Sequence, residues 1–338
     1  MHISTSIATA TAALISLSSG CGSTTSASVD GGASDGATRE GSLEASPDTA
    51  PDAPAEGGKL TGAGGTLPTL SFAVAGDTRP PNEDDTAGYP TAVIQKIFGD
   101  IEGVSPTIPF TLSTGDYQYA SIYGTESAPQ LSLWLSAREK YSGLVFPAMG
   151  NHECTGSTDS NCGPGSEDGA TKNYSNFLSM MLAPVGQKLP YYSFQIGSTK
   201  PGAWTSKFVL IAANAWDSAQ ASWLAGAMAV KTTYTFVIRH ESSEADTAPG
   251  VSPSDAILAM YPVTLEIFGH THSYRWEGTN EVIIGNGGAP LSGGVDYGYG
   301  VVRQQPDGNL TVDMYDYETN AADSSFHRVL TPDGALAP

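Results

Sequence analysis

The sequence predicts an α/β domain whose C-terminal part is more antiparallel. From residue 70 onward, short apolar runs alternate with segments of helical periodicity. Five of those runs lead straight into a polar, chemistry-capable residue, in four cases after a glycine: Asp77, Asp116, Asn151, His240, and the pair His270 and His272. From residue 281 the apolar runs follow one another with no helical segment between them.

The elements follow in order. Residues 70–75 read as a buried strand that runs into Gly76, Asp77 and Arg79. Residues 90–102 place Val93, Ile94, Ile97, Phe98 and Ile101 on one helical face. A second strand, 108–112, precedes Gly115 and Asp116, with Tyr119 three residues further on. Residues 129–141 are helical, and 144–149 are a strand ending at Gly150, Asn151, His152 and Glu153. After a polar insert, a helix is expected at 173–183, strands at 191–196 and 208–213, and a helix at 217–230. Residues 234–238 form a strand that ends at Arg239, His240 and Glu241. A short helix at 256–260 precedes the strand 265–268, which runs into Gly269, His270, Thr271 and His272. Strands at 282–284, 300–303 and 310–314 complete the chain. No internal repeat is visible.

Composition bounds the rest. The 338 residues are 40% hydrophobic, enough to bury a sizeable core, and carry a net charge of -20. An acidic body repels nucleic acid and anionic membrane surfaces, so no nucleic-acid partner is expected. Residues 1–21 read as an export signal. A mild apolar stretch at 7–17, too short to span a membrane, leads to Leu17-Ser-Ser-Gly-Cys21. Small residues before Cys21 resemble the cleavage box of bacterial lipoproteins. The leucine is one place too far from the cysteine, and no Lys or Arg precedes the apolar run. A lipid anchor at Cys21, simple secretion, or a plain tail are the three readings. Residues 22–66 are Ser, Gly, Ala, Thr, Asp and Pro with almost no large apolar side chain, so a flexible tether is expected. The folded domain is then 67–338. Cys154 and Cys162 lie eight apart in a polar loop, and would pair in an oxidising compartment. A metal site is the alternative, but no further Cys lies nearby.

Imidazole is a common ligand for zinc, iron and similar metals, and open α/β sheets place their sites at the carboxyl ends of strands. Four of the six histidines, 152, 240, 270 and 272, fall at these ends. Oxygen donors stand at Asp77, Asp116 and Asn151.

The set and its order, Gly76-Asp77, Gly115-Asp116, Gly150-Asn151-His152-Glu153, His240 and Gly269-His270-Thr271-His272, resemble the calcineurin-like metallophosphoesterases over about residues 69–316. The resemblance implies a four-layer α/β/β/α sandwich and a binuclear metal site. Many members have a histidine two places after the first aspartate, where this chain has Arg79. Tyr119 and the stretch from Gly269 to Arg275 are similar to the purple acid phosphatase branch, where a tyrosinate binds ferric iron. Carried over, metal one takes Asp77, Asp116, Tyr119 and His272. Metal two takes Asp116 as bridge, with Asn151, His240 and His270. The expected cofactors are two divalent or trivalent ions, iron with zinc, manganese or a second iron. Tyr119 as a packing aromatic is the alternative.

Two ions clamp the attacking and leaving oxygens of a phosphoryl transfer and make hydroxide available near neutral pH. His152 is placed to protonate the leaving alkoxide or to hold a phosphate oxygen; an orienting role is the alternative. At least one of Arg79 and Arg239 is expected on substrate phosphate, because guanidinium matches phosphate geometry; an internal salt bridge is the alternative for each. Glu153 and Glu241 are expected to orient neighbouring histidines. The Cys154–Cys162 loop is expected to shape substrate access.

The expected function is hydrolysis of small phosphoesters, with phosphomonoesters favoured, in an exported protein that meets a membrane only through Cys21. Phosphodiester or nucleotide pyrophosphate hydrolysis on the same core is the near alternative. A binding scaffold without catalysis is the distant one.

Overall fold

The computed structural model describes residues 60–245 and 248–338. The expected export signal with Cys21, and the tether up to residue 59, lie outside the described residues. Among the described residues, no helix is long and apolar enough to cross a membrane.

In chain order the chain forms β1 (Gly64–Leu67), β2 (Ser71–Val74), α1 (Thr91–Glu102), β3 (Phe110–Ser113), α2 (Ser127–Arg138) and β4 (Leu144–Pro147). Next come α3 (Lys172–Asn176), β5 (Tyr192–Ser198), β6 (Thr205–Ile211), α4 (Ser218–Ala229), β7 (Tyr234–Arg239), α5 (Val251–Leu258) and β8 (Leu265–Phe268). The last strands are β9 (Tyr274–Trp276), β10 (Glu281–Ile284), β11 (Gly298–Gln304), β12 (Leu310–Asp316) and β13 (Arg328–Leu330). One sheet has the order β1-β5-β6-β7-β8-β10-β9, the other β13-β12-β11-β2-β3-β4. The motif-bearing strands are parallel neighbours: β2, β3 and β4 in one sheet, β7 and β8 in the other. The C-terminal strands β11 to β13 pair antiparallel, as expected.

Period-2 alternation buries both faces of the seven-stranded sheet. Phe208 and Phe236 point at the other sheet, where Phe72 meets them at ring distances of 5.3 and 5.0 Å. Their neighbours Val209, Ile211 and Val237 point the other way and pack on Leu224 and Met228 of α4 and Leu258 of α5. On the six-stranded sheet, α1 and α2 meet through Phe98 and Trp134, and Trp134 packs on Tyr117 after β3. The result is the expected α/β/β/α sandwich. Each buried phenylalanine contributes about 1.5–3 kcal/mol of transfer free energy, so this aromatic seam holds the two sheets in register.

Several elements differ from expectation, and β9 and β13 were not expected as strands. Residues 64–66, read as tether, belong to β1, which pairs parallel with β5. The helix at 173–183 is α3 continued by a wider turn over Phe177–Leu182. α5 starts at Val251, five residues before its expected start at 256.

Candidate active site

Each candidate donor sits in the first turn after a parallel strand. Asp77 follows β2, Asp116 follows β3, Asn151 follows β4, His240 directly follows β7, and His270 and His272 follow β8. Four of these donors adopt left-handed backbone: Asp77 (φ 57°), Asp116 (57°), His270 (69°) and His272 (49°). A non-glycine residue there costs on the order of 1–3 kcal/mol and persists only when its surroundings enforce it. Here the enforcing bonds are visible. Asp77 N donates to Gly115 O at 3.0 Å and Thr78 N to Asp116 O at 2.9 Å, so the two aspartate loops lock together. His270 N donates to Asp77 Oδ1 at 2.9 Å. The preceding glycines leave room: a Cβ on Gly150 would lie 2.3 Å from Asp116 Oδ1, and one on Gly269 2.4 Å from Asp77 Oδ2.

The donors converge in two groups that share Asp116. Asp77, Asp116 and His272 offer ligand atoms within 4.8 Å of one another, and so do Asp116, His240 and His270. Asn151 Oδ1 is 3.2 Å from His240 Nε2 and 3.2 Å from His270 Nδ1. Those two imidazole nitrogens are themselves only 3.3 Å apart. His240 Nδ1 meets the Thr114 carbonyl at 2.7 Å and His272 Nδ1 meets the Pro290 carbonyl at 2.9 Å. Each ring therefore turns Nε2 inward, to Asp116 Oδ1 at 3.3 Å and Asp77 Oδ1 at 3.8 Å respectively.

Burial pushes the Asp77 carboxyl well above the usual range, with the Asp116 charge adding to it and His240 opposing. Burial works the same way on Asp116, but His240, His152 and Arg79 together hold its carboxyl well below the usual range. Burial disfavours charge on His240, yet Asp116 and Asp77 raise its pKa well above the ordinary value. Burial lowers His270 to about 4 and His152 to about 3, and with Arg79 it lowers His272.

These residues fit a metal centre. Two imidazole nitrogens and an amide oxygen crowded at 3.2–3.3 Å bring lone pairs together, which a shared cation would stabilise. Second-ring-nitrogen bonds to carbonyls are the usual support of ligating histidines. A third grouping, Cys154, Cys162 and Asp168, offers no free thiolate, because the two cysteines form the expected disulfide with a Cα separation of 5.5 Å.

The remaining candidates divide. The Arg79 guanidinium lies over the Tyr119 ring at 4.8 Å, with Nε 3.8 Å from Asp116 Oδ2. The Tyr119 ring stands edge-on to His152 at 4.4 Å. His152 Nε2 is 3.9 Å from Asp116 Oδ2. Arg239, expected as a candidate phosphate contact, is elsewhere. Its guanidinium is fully buried beneath α5, bonded to Asp255 Oδ1 at 2.6 Å, Ser254 Oγ at 2.6 Å and the Glu241 carbonyl at 2.7 Å. It is the internal salt bridge. Strand alternation explains this: His240 faces the site, so its neighbour faces away. Glu153 does not orient a histidine. Its carboxylate accepts N–H groups from Asp116, Tyr117 and Gly150, each at 2.9 Å. Glu241 is buried and bonds to no histidine; burial pushes its carboxyl up to about 7.

Sequence reasoning missed the loop after β10. Gly287 N donates to Gly76 O at 2.8 Å and Ala289 N to Asp77 O at 2.8 Å, closing the floor of the site. Its one signal was the run Gly285-Asn286-Gly287-Gly288 directly after a strand.

The family model of calcineurin-like phosphoesterases matches residues 70–274, more than half of the chain. Among solved structures, a purple acid phosphatase from yellow lupin seeds superposes with a TM-score of 0.57 at 16% identity, covering 80% of this chain and 55% of its own. The chain thus spans about half the length of the lupin protein. A dimetal phosphatase from Danio rerio gives 0.50 at 12% identity, over 78% of this chain and 99% of its own. GAP50, the anchor in the inner membrane complex of Plasmodium, gives 0.53 at 12% identity, over 80% and 90%. No curated protein matches the sequence. The family match covers the loops that carry Asp77, Asp116, Asn151, His240, His270 and His272, and the chain belongs to the calcineurin-like phosphoesterase family.

Proposed function

We propose that this chain is a binuclear-metal phosphoester hydrolase that favours phosphomonoesters. The observation that supports it is the pair of donor groups joined at Asp116. In this reading one ion is held by Asp77, Asp116, Tyr119 and His272, the other by Asp116, Asn151, His240 and His270. A tyrosinate at Tyr119 would favour ferric iron at its position, with zinc, manganese or iron at the other. When bound, the ions supply Lewis-acid activation of the phosphoryl group and of the attacking water.

The chain's own groups do the rest. Arg79 presents guanidinium N–H donors to phosphate oxygens. It adds a fixed cation beside Asp116, which suits the dianionic phosphate of a monoester better than a singly charged diester. His152, whose Nε2 lies 3.9 Å from Asp116 Oδ2, donates its N–H to a phosphate or leaving-group oxygen. The disulfide loop begins two residues after His152 and narrows access for large leaving groups.

A disulfide persists in oxidising compartments, which agrees with export through residues 1–21 and a lipid anchor at Cys21. The anchor described for GAP50 raises the scaffold alternative, but the intact set Asp116, Asn151, His240 and His270 favours catalysis.

The test is hydrolysis of p-nitrophenyl phosphate and bis-p-nitrophenyl phosphate by the full chain, with manganese, zinc or iron supplied and Asp116→Ala as control. Monoester turnover at least tenfold above diester turnover, absent in the control, supports the proposal. The reverse preference assigns a diesterase. No turnover of either ester under any metal refutes hydrolysis.

A further inference from the structure

We infer that the two metal positions are unequal: the Arg79 guanidinium weakens cation binding at the Asp77–Asp116–His272 position and leaves the Asp116–His240–His270 position strong. The inference rests on the metal-dependent reading above.

The two oxygens of Asp116 have different neighbours. Oδ1 is 3.3 Å from His240 Nε2 and accepts the His152 backbone N–H at 3.1 Å. Oδ2 is the oxygen near Arg79, with the guanidinium Nε at 3.8 Å. A cation that uses Oδ2 therefore shares this oxygen with a charge already present. Arg79 cannot easily withdraw. Its side chain is only 16% exposed, it lies over Tyr119, and it donates to the Pro80 carbonyl at 3.1 Å. Its Nε is buried without a hydrogen-bond partner. Such a donor is costly to leave unpaired, and Asp116 Oδ2 or a substrate oxygen is the group it can reach.

Arg79 follows Asp77 by two residues and covers the Tyr119 ring at 4.8 Å, and both of those residues are assigned to the Asp77–Asp116–His272 position. Like charges a few ångströms apart in a site shielded from water repel strongly, so for divalent ions, which lack the ferric ion's strong bond to a tyrosinate, the position beside Arg79 is the weaker one. The other position gains a neutral donor, Asn151 Oδ1, at 3.2 Å from both of its histidines.

Calorimetric titration of the metal-stripped full chain with Mn²⁺ tests this without recourse to activity. The expected wild-type result is two classes, one equivalent each, separated at least tenfold in Kd. Arg79→Gln is expected to tighten the weak class at least tenfold and to move the strong class less than about threefold. Arg79→Lys keeps the charge and is expected to keep the separation. His272→Ala removes the weak class, and His240→Ala removes the strong one. Circular dichroism confirms that each variant is folded. Two equal classes in the wild type, or a separation unchanged by Arg79→Gln, overturns the inference and leaves the hydrolase reading standing. No Mn²⁺ binding in any variant overturns both.

Discussion

His240 Nδ1 lies 2.7 Å from the backbone oxygen of Thr114, a residue 126 positions earlier in the chain. A carbonyl can only accept, so Nδ1 carries the proton in the neutral ring and Nε2 is the free lone pair. That lone pair meets Asp116, Asn151 and His270. The β3 loop thus selects the tautomer of a side chain on β7, across the two sheets. His240→Ala removes both the donor and its fixed direction. Turnover of a chromogenic phosphomonoester is expected to fall at least about a thousandfold, some 4 kcal/mol of transition-state stabilisation. Circular dichroism and kcat at saturating metal check this together.

Glu153 is the second cross-loop tie. One buried carboxylate takes N–H groups from Asp116, Tyr117 and Gly150. Glutamine in its place offers one oxygen and turns an NH₂ group toward an amide donor. Glu153→Gln is expected to lower stability by about 2–3 kcal/mol, read by urea denaturation. It is also expected to weaken metal affinity, because the left-handed Asp116 backbone loses its restraint.

Much of the site was legible because its donors follow apolar runs directly. Strand ends position Asp77, Asp116, Asn151 and His270 with no long-range knowledge needed. The orienting partners were not legible. Thr114 and Pro290 act through backbone carbonyls, which every residue possesses. Glu153 acts on amides up to 37 residues away. Arg239 was readable in principle, since period-2 alternation separates it from His240, yet adjacency to a site residue drew it toward the substrate. β1 left no trace because Gly64, Gly65 and Thr66 offer no large apolar side chain; its place comes from backbone pairing with β5. The turns at Phe177–Leu182 carry the apolar spacing of a helix, and spacing alone does not report a wider winding.

Arg239 has all its reach spent on α5 and the loop before it. Its charge meets Asp255, whose side chain is 34% exposed. Arg239→Met removes the cation from that carboxylate and the donor from the Glu241 carbonyl, while Val251 O keeps the Ser254 hydroxyl. Stability is expected to fall by about 2–4 kcal/mol. KM for the monoester, measured below the unfolding range, is expected to stay within about twofold. A large rise in KM at unchanged stability would return Arg239 to the substrate.

Glu266 on β8 gives stability a pH dependence of definite sign. Burial, with Glu281 and Asp255 nearby and Arg239 opposing, raises its carboxyl from 4.5 to about 7. The folded chain then holds a proton between about pH 4.5 and 7 that the unfolded chain has released. Unfolding releases that proton, so stability falls as pH rises through this window and levels off above it. The full contribution is roughly 3 kcal/mol. Glu266→Gln is expected to make the profile less steep between pH 4.5 and 7, with Glu241 supplying part of the slope that remains, read as Tm against pH. An identical slope in the variant would assign the dependence to other carboxyls.

The Cys154–Cys162 loop is the last element that touches the site. Cys162 N donates to Asn214 O at 2.7 Å, and Asn214 Nδ2 donates back to Thr158 O at 2.7 Å, so the loop is pinned to the chain after β6. Asn173 Nδ2 reaches the His152 carbonyl at 3.4 Å and the Ala120 carbonyl at 2.7 Å from the far end of the insert. Opening an eight-residue loop relaxes the unfolded chain and costs about 2.5 kcal/mol. The double variant Cys154→Ser, Cys162→Ser is therefore expected to melt earlier. If the insert narrows access, the same variant raises kcat/KM for a bulky phosphomonoester relative to p-nitrophenyl phosphate, by about threefold or more. Loss of stability with an unchanged ratio would make the disulfide a staple only, and substrate size would then be set by the loops after β2 and β3.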